Sequence, residues 1–109
     1  MKPFNITENT KGVLVYGETR NGGRWLILIS SVEKRDNDLI IYRHFSYHLN
    51  SNSLYIINTT NGRCWGSALN YGLNLYYPTH EQYQLVKRLM QRHKFKFIPI
   101  LNQVKFIHE

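Results

Sequence analysis

Apolar and polar positions along the chain fall into short blocks separated by turn residues. Residues 12–16 and 24–32 are apolar-rich runs divided by Asn21-Gly22-Gly23, the pattern of two strands joined in a hairpin. Residues 34–38 are a polar turn, and residues 39–43 read as a third strand that can run on to residue 47. Residues 50–53 turn the chain again into a fourth strand at 54–58. Thr60-Asn61-Gly62 then turns it toward Arg63-Cys64-Trp65. Short strands at even spacing between polar turns predict a meandering antiparallel sheet. Residues 66–77 hold Gly66 and Gly72 close together and predict an ordered loop, ended by Pro78.

The period changes over residues 79–93. Thr79 and Gln82 have the spacing of a capping box, and no Gly or Pro follows inside the segment. At about 100° per residue, Tyr83, Leu85, Val86, Leu89 and Met90 share one arc. Gln84, Lys87, Arg88, Gln91, Arg92 and Lys94 share the opposite one, while His93 falls in the apolar arc at the helix end. The first arc predicts burial of Leu85, Val86, Leu89 and Met90 on the sheet, with Trp25, Ile27 and Ile29 among their neighbours. Residues 94–98 alternate lysines with Phe95 and Phe97, which predicts a half-buried strand. Pro99 interrupts it, and residues 104–108 predict a last short edge strand. The expected fold is α+β in one domain. It has a single antiparallel meander sheet of about five to six short strands, with one C-terminal amphipathic helix packed on one face.

Charge adds a direction to this picture. Lys and Arg total 14 against 7 acids, a formal net charge of +7. From Lys87 onward the chain carries Lys87, Arg88, Arg92, Lys94, Lys96 and Lys105, with Glu109 the single acid. With 42% hydrophobic and 19% charged residues, the composition is that of a folded chain and not of a disordered polyelectrolyte. A one-sided basic surface on a folded domain predicts an anionic partner: a nucleic acid, or a nucleoprotein or host protein with an acidic surface. The apolar run at residues 25–29 is too short to span a bilayer, and the first residues lack the apolar core of a signal peptide. Cys64 is the single cysteine, so no intrachain disulfide forms. These features predict a cytoplasmic protein with no membrane partner.

The chemistry on offer is binding more than catalysis. Lys87, Arg88, Arg92 and Lys94, extended by Lys96, are candidates for successive phosphate contacts. An ordinary solvated helix face is the alternative, but such faces mix signs and this one has no acid after Glu81. The segment Tyr42-Arg43-His44-Phe45-Ser46-Tyr47-His48 interleaves rings with cations, the composition of a platform for stacking unpaired bases. Arg43 and Tyr47 are its candidate contacts. Strict alternation places Tyr42, His44, Ser46 and His48 on one side, with Arg43, Phe45 and Tyr47 on the other; half of these must be core. His44 and His48 lie four apart, but nothing in the sequence supplies a third ligand in a metal-binding spacing. The acids are scattered, Cys64 has no His or Asn pattern around it, and Gly-rich phosphate-binding motifs are absent. Trp25 and Trp65 read as core or semi-core residues. No catalytic residue, metal or cofactor is therefore expected. The enzymatic alternative is a small metal-independent nuclease, which needs only His, Lys, Arg or Tyr in a basic cleft.

The bias toward Asn, Ile, Lys and Tyr, the small size and the absence of known motifs resemble the small accessory proteins of phages and mobile elements. That resemblance rests on style and on no particular residue, so it transfers no site. It implies a second class of function: an anti-CRISPR-like inhibitor of host defence that binds a host protein or sequesters an anionic nucleotide. The net charge excludes an acidic mimic of DNA. The leading expectation is a non-enzymatic basic module that binds a nucleic acid or a nucleoprotein complex.

Overall fold

The runs Val13-Leu14-Val15-Tyr16 and Leu26-Ile27-Leu28-Ile29 have no polar position between them, so neighbouring side chains on opposite faces of the sheet are all apolar. A strand of that kind is stable only when both faces are covered. In a computed structural model, which describes residues 1–56 and 72–93, these runs are the two central strands and every one of their side chains is buried. The elements are β1 (Val13–Glu18), β2 (Arg24–Arg35), β3 (Asp38–His48), β4 (Ser53–Ile56), β5 (Asn74–Tyr76) and α1 (His80–Arg92). The sheet order is β4-β3-β2-β1-β5, and all neighbours are antiparallel. The meander therefore covers β1 to β4, and β5 returns to the far edge of β1.

Turn chemistry sets the registers. Gly22, at φ +89°, carries the β1–β2 turn, where the Gly22 N–H donates to the Thr19 carbonyl. Asp36-Asn37 closes β2 on β3 with two residues, Asp36 taking φ +56°. Both strands run right to that turn, so they are longer than predicted: Glu33, Lys34 and Arg35 stay in the ladder opposite Ile40, Leu39 and Asp38. Residues 74–76, predicted as loop, pair with Glu18, Gly17 and Tyr16. Three residues are too few to show an alternation. Gly17 allows this edge to close, because a Cβ there would meet Leu73, Ile27 and Leu75 at 3.1 to 3.3 Å. The N-terminal segment then lies along β5, with the Phe4 N–H donating to the Leu75 carbonyl and the Tyr77 N–H to the Lys2 carbonyl.

The helix forms as its cap predicts. The Thr79 side chain accepts from the Gln82 N–H at 3.2 Å, and the Gln82 side chain accepts from the Thr79 N–H at 2.9 Å. His93 is the C-cap, its N–H donating to the Leu89 carbonyl. Tyr83, Val86 and Leu89 are buried, and Leu85 and Met90 are half-buried beside them. Their neighbours correct the expectation. The helix packs on Leu14, Tyr16, Leu26, Leu28, Phe45 and Tyr47, while Ile27 and Ile29 belong with Val13, Val15 and Ile41 to the core of the opposite face, with Trp25 packed against it. In a run apolar at every position either parity can meet the helix, and one residue of difference exchanges the faces. The strands expected at residues 94–98 and 104–108, and the turn at 60–62 with Arg63-Cys64-Trp65, lie outside the described residues.

Leu89→Ala is expected to cost about 2–5 kcal/mol, because Leu89 is 6% exposed in the helix-side core. Thr79→Ala removes one cap hydrogen bond and is expected to cost roughly 1 kcal/mol. Chemical denaturation measures both, and a Leu89→Ala loss below about 0.5 kcal/mol overturns the assignment of the packed face. Tyr16 gives a pH test. Burial first, then the hydrogen bond and charge of Glu18 2.8 Å away, push its phenol up to about 12. A pKa raised by folding means the folded chain holds this proton longer. The contribution is complete below about pH 10 and is lost as pH rises toward 12. The stability difference between the parent and Tyr16→Phe should shrink across that window.

Candidate functional site

Two surfaces carry the residues singled out by the sequence, and they lie on opposite faces of the sheet. The first is the outer side of α1. Tyr83, Val86 and Leu89 face the sheet, which turns Lys87, Arg88, Gln91 and Arg92 outward, all exposed. Glu81 is the acid of the helix and has Gln84 and Leu85 at the three- and four-residue spacings, so it is placed to pair with no cation along the helix. Glu81 in the first turn and Arg92 in the last complement the helix dipole, which accounts for those two charges but not for Lys87 and Arg88. Arg88 and Arg92 stand four apart, a like-charge pair that weakens an isolated helix by a few tenths of a kcal/mol. Lys94 and Lys96 lie outside the described residues.

The second surface is the sheet face away from α1, where β2, β3 and β4 meet. Strict alternation fails here. The register passes from Leu28↔Phe45 to Ile29↔Arg43, so β3 has an extra residue at His44, and β2 has its own at Ser30. The bulge at His44 carries Arg43 across to the side of Ser46 and His48 and leaves Phe45 and Tyr47 facing the helix. The expected grouping of Arg43 with Phe45 and Tyr47 is thereby corrected. Arg43 Nη1 donates to Ser46 Oγ, and Ser46 is completely buried. The Arg43 Nε is also buried and has no hydrogen-bond partner. Tyr47 is 7% exposed in the helix-side core, its hydroxyl donating to Asn52 Oδ1 at 3.0 Å, so its ring is not on the surface.

Trp25, read from the sequence as core or semi-core, and Tyr55, not singled out there, complete this face with His48. Trp25 sits opposite His48 and stacks on it, with ring centroids 4.2 Å apart and planes 24° apart. Tyr55, opposite Ser46, tilts toward Trp25 at 6.1 Å and is 47% exposed. His48 is fixed through Nδ1 and Ser51 Oγ, 2.7 Å apart. The side-chain amide of Asn50 ties the two adjoining turns, accepting from the Arg24 N–H and donating to the Gly22 carbonyl. Tyr55 had a signal in the sequence, an aromatic between Leu54 and Ile56 on a short polar-flanked strand. Its nearness to Trp25 depends on strand pairing and had none.

Comparison of the chain with protein-family models, with curated proteins and with solved structures finds no match. The chemistry is therefore read from these side chains alone. Among the described residues, no group of three His, Cys, Asp or Glu is placed to hold a metal ion. No described helix is long and apolar enough to cross a membrane. A cleft of about 460 Å³ lies between the N-terminal segment and β5, floored by Phe4, Leu39 and Leu75 and edged by the amides of Asn5, Asn37 and Asn74. Its lining offers carboxamides and apolar contact, without a carboxylate, imidazole or amine. The described surface thus presents cations on one face, and rings with a guanidinium on the other.

Proposed function

We infer that the protein is a small non-enzymatic binding module for a nucleic acid, free or within a nucleoprotein complex, and that the outer face of α1 makes the phosphate contacts. The observation that carries this reading is the exposure of Lys87, Arg88 and Arg92 together on a capped helix whose other side is fixed in the core. Arg88 and Arg92, four apart, repel one another along the helix, which favours a use outside it. The sequence adds Lys94 and Lys96 directly after the helix. Such contacts supply affinity and register without reading sequence. An acidic protein surface, as an inhibitor of host defence would require, is the competing partner for the same cations.

Charge reversal of Lys87 and Arg88 together is expected to weaken binding while leaving the unfolding midpoint nearly unchanged, because exposed charges contribute little to stability. For a nucleic acid, log K should fall linearly with log salt, and each lost phosphate contact should flatten the slope by roughly 0.7 to 0.9. Salt that chiefly slows association with one acidic protein supports the inhibitor instead. Unchanged binding in the double reversal overturns the assignment of this face. Labelled RNA and DNA incubated with the protein, with and without divalent metal, should stay intact. Cleavage that disappears in His48→Ala or His44→Ala overturns the non-enzymatic reading.

A further inference from the structure

The Trp25–His48 stack alone is an ordinary cross-strand pair that stabilises a sheet. Two observations beside it have no such explanation. Tyr55 keeps nearly half of its surface in solvent at the edge of that stack, and Met1 is the other large apolar residue exposed to this degree among the described residues. Arg43, one register position further along the same face, uses Nη1 on Ser46 and leaves its Nε buried without an acceptor. No carboxylate accompanies it among the described residues. An unmet buried donor on a cation is unfavourable. The fold retains that cost at a position where a bulge has turned the side chain onto this face.

We propose that this face is a site for one unpaired nucleotide unit, with the base stacked on Tyr55 beside the Trp25–His48 pair and the phosphate taken by Arg43. Ring and guanidinium are held in sequence across the ladder, since Arg43 bonds Ser46 and Ser46 lies directly opposite Tyr55. Of the two terminal nitrogens of Arg43, Nη2 is the one not engaged by Ser46, and it is the group that would donate to a phosphate oxygen. A base inside a duplex has both faces covered by its neighbours, so only an unpaired base can use an exposed ring. The site therefore goes beyond the helix reading: it specifies single-stranded nucleic acid or a free nucleotide, which share this chemistry. It stands on different residues from those on α1.

The test uses the full chain in a Trp65→Phe background, which leaves Trp25 as the sole tryptophan. An oligothymidylate of about a dozen nucleotides is expected to quench Trp25 fluorescence. Tyr55→Ala should weaken that binding roughly 5- to 150-fold, the effect of losing one stacked base, and Tyr55→Phe should restore it. Arg43→Ala should weaken it as well, with Ser46 Oγ left to water. Because Arg43 also ties the bulge, unfolding of that variant is measured in parallel, and Arg43→Lys serves if it is unstable. Equal quenching by thymidine monophosphate assigns the site to a free nucleotide, and quenching by the oligomer alone assigns it to a strand. Oligomer binding seen by anisotropy without any Trp25 response, or an unaffected Tyr55→Ala, overturns the proposal. The double reversal at Lys87 and Arg88 is run beside these variants. Loss there with no Trp25 response leaves the helix reading standing alone, and a full Trp25 response with no loss there leaves this site standing alone.

Discussion

Both faces of β1 and β2 must be covered, and α1, β5 and the N-terminal segment are placed so as to cover them. Their eight central residues are apolar without interruption, so neither face can be given to water. At about 25 cal/mol per Å² of apolar surface, an exposed face of that width would outweigh the few kcal/mol by which a small domain is stable. One face takes α1. On the other, Phe4, Ile6 and Leu73 pack over Val13, Val15, Ile27 and Ile29. The position of β5 follows from the same need. It places Leu75 in that second core and gives the N-terminal segment an edge to pair with.

That constraint also explains which parts of the fold were legible in the sequence. The helix was, because Thr79 and Gln82 mark its start and the arc of Tyr83, Val86 and Leu89 fixes its inner side with no outside information. The first three turns were, because Gly22, Asp36 and Asn52 supply the backbone that each needs. The face on which α1 lands was not. A strand that reads apolar at every position carries no parity, and the choice between Leu26 with Leu28 and Ile27 with Ile29 is made by packing volume across the whole sheet. Strand β5 was hidden for a different reason. It is three residues long, and what makes it a strand is the edge of β1, far away in sequence.

The candidate site divides in the same way. The cations of α1 were visible because helical period alone decides their exposure. On the second face the sequence grouped Arg43 with Tyr47, and the structure does not keep them together. Two bulges in one ladder, at Ser30 and His44, separate those residues onto opposite faces. Nothing local announces a bulge at a histidine between Arg43 and Phe45. The consequence is large: without the extra residue Arg43 would point into the helix-side core, where a guanidinium has no acceptor and would be expelled. The bulge thus reconciles an alternating apolar requirement with one retained cation.

The two surfaces are also electrostatically separate, and the magnitudes decide this. Exposed charges are screened over about 10 Å at 0.1 M salt. The molecule measures 25 Å across its shortest dimension, and α1 and the Trp25 stack occupy opposite faces of the sheet. The field of Lys87, Arg88 and Arg92 that passes through solvent is therefore weakened by salt before it reaches the far side. In the site proposed beside Tyr55, the anion would be held by a charge on its own face. Among the described residues nearest that ring, Arg43 is the group able to do so, since His48 is already committed to the Trp25 ring and to Ser51. A partly buried guanidinium also acts at lower effective dielectric than the exposed lysine and arginines of the helix, so a single contact there is less sensitive to salt than those on α1. On the two readings proposed, long-range capture and short-range fit rest on different faces of one thin sheet, and their salt dependence tells them apart.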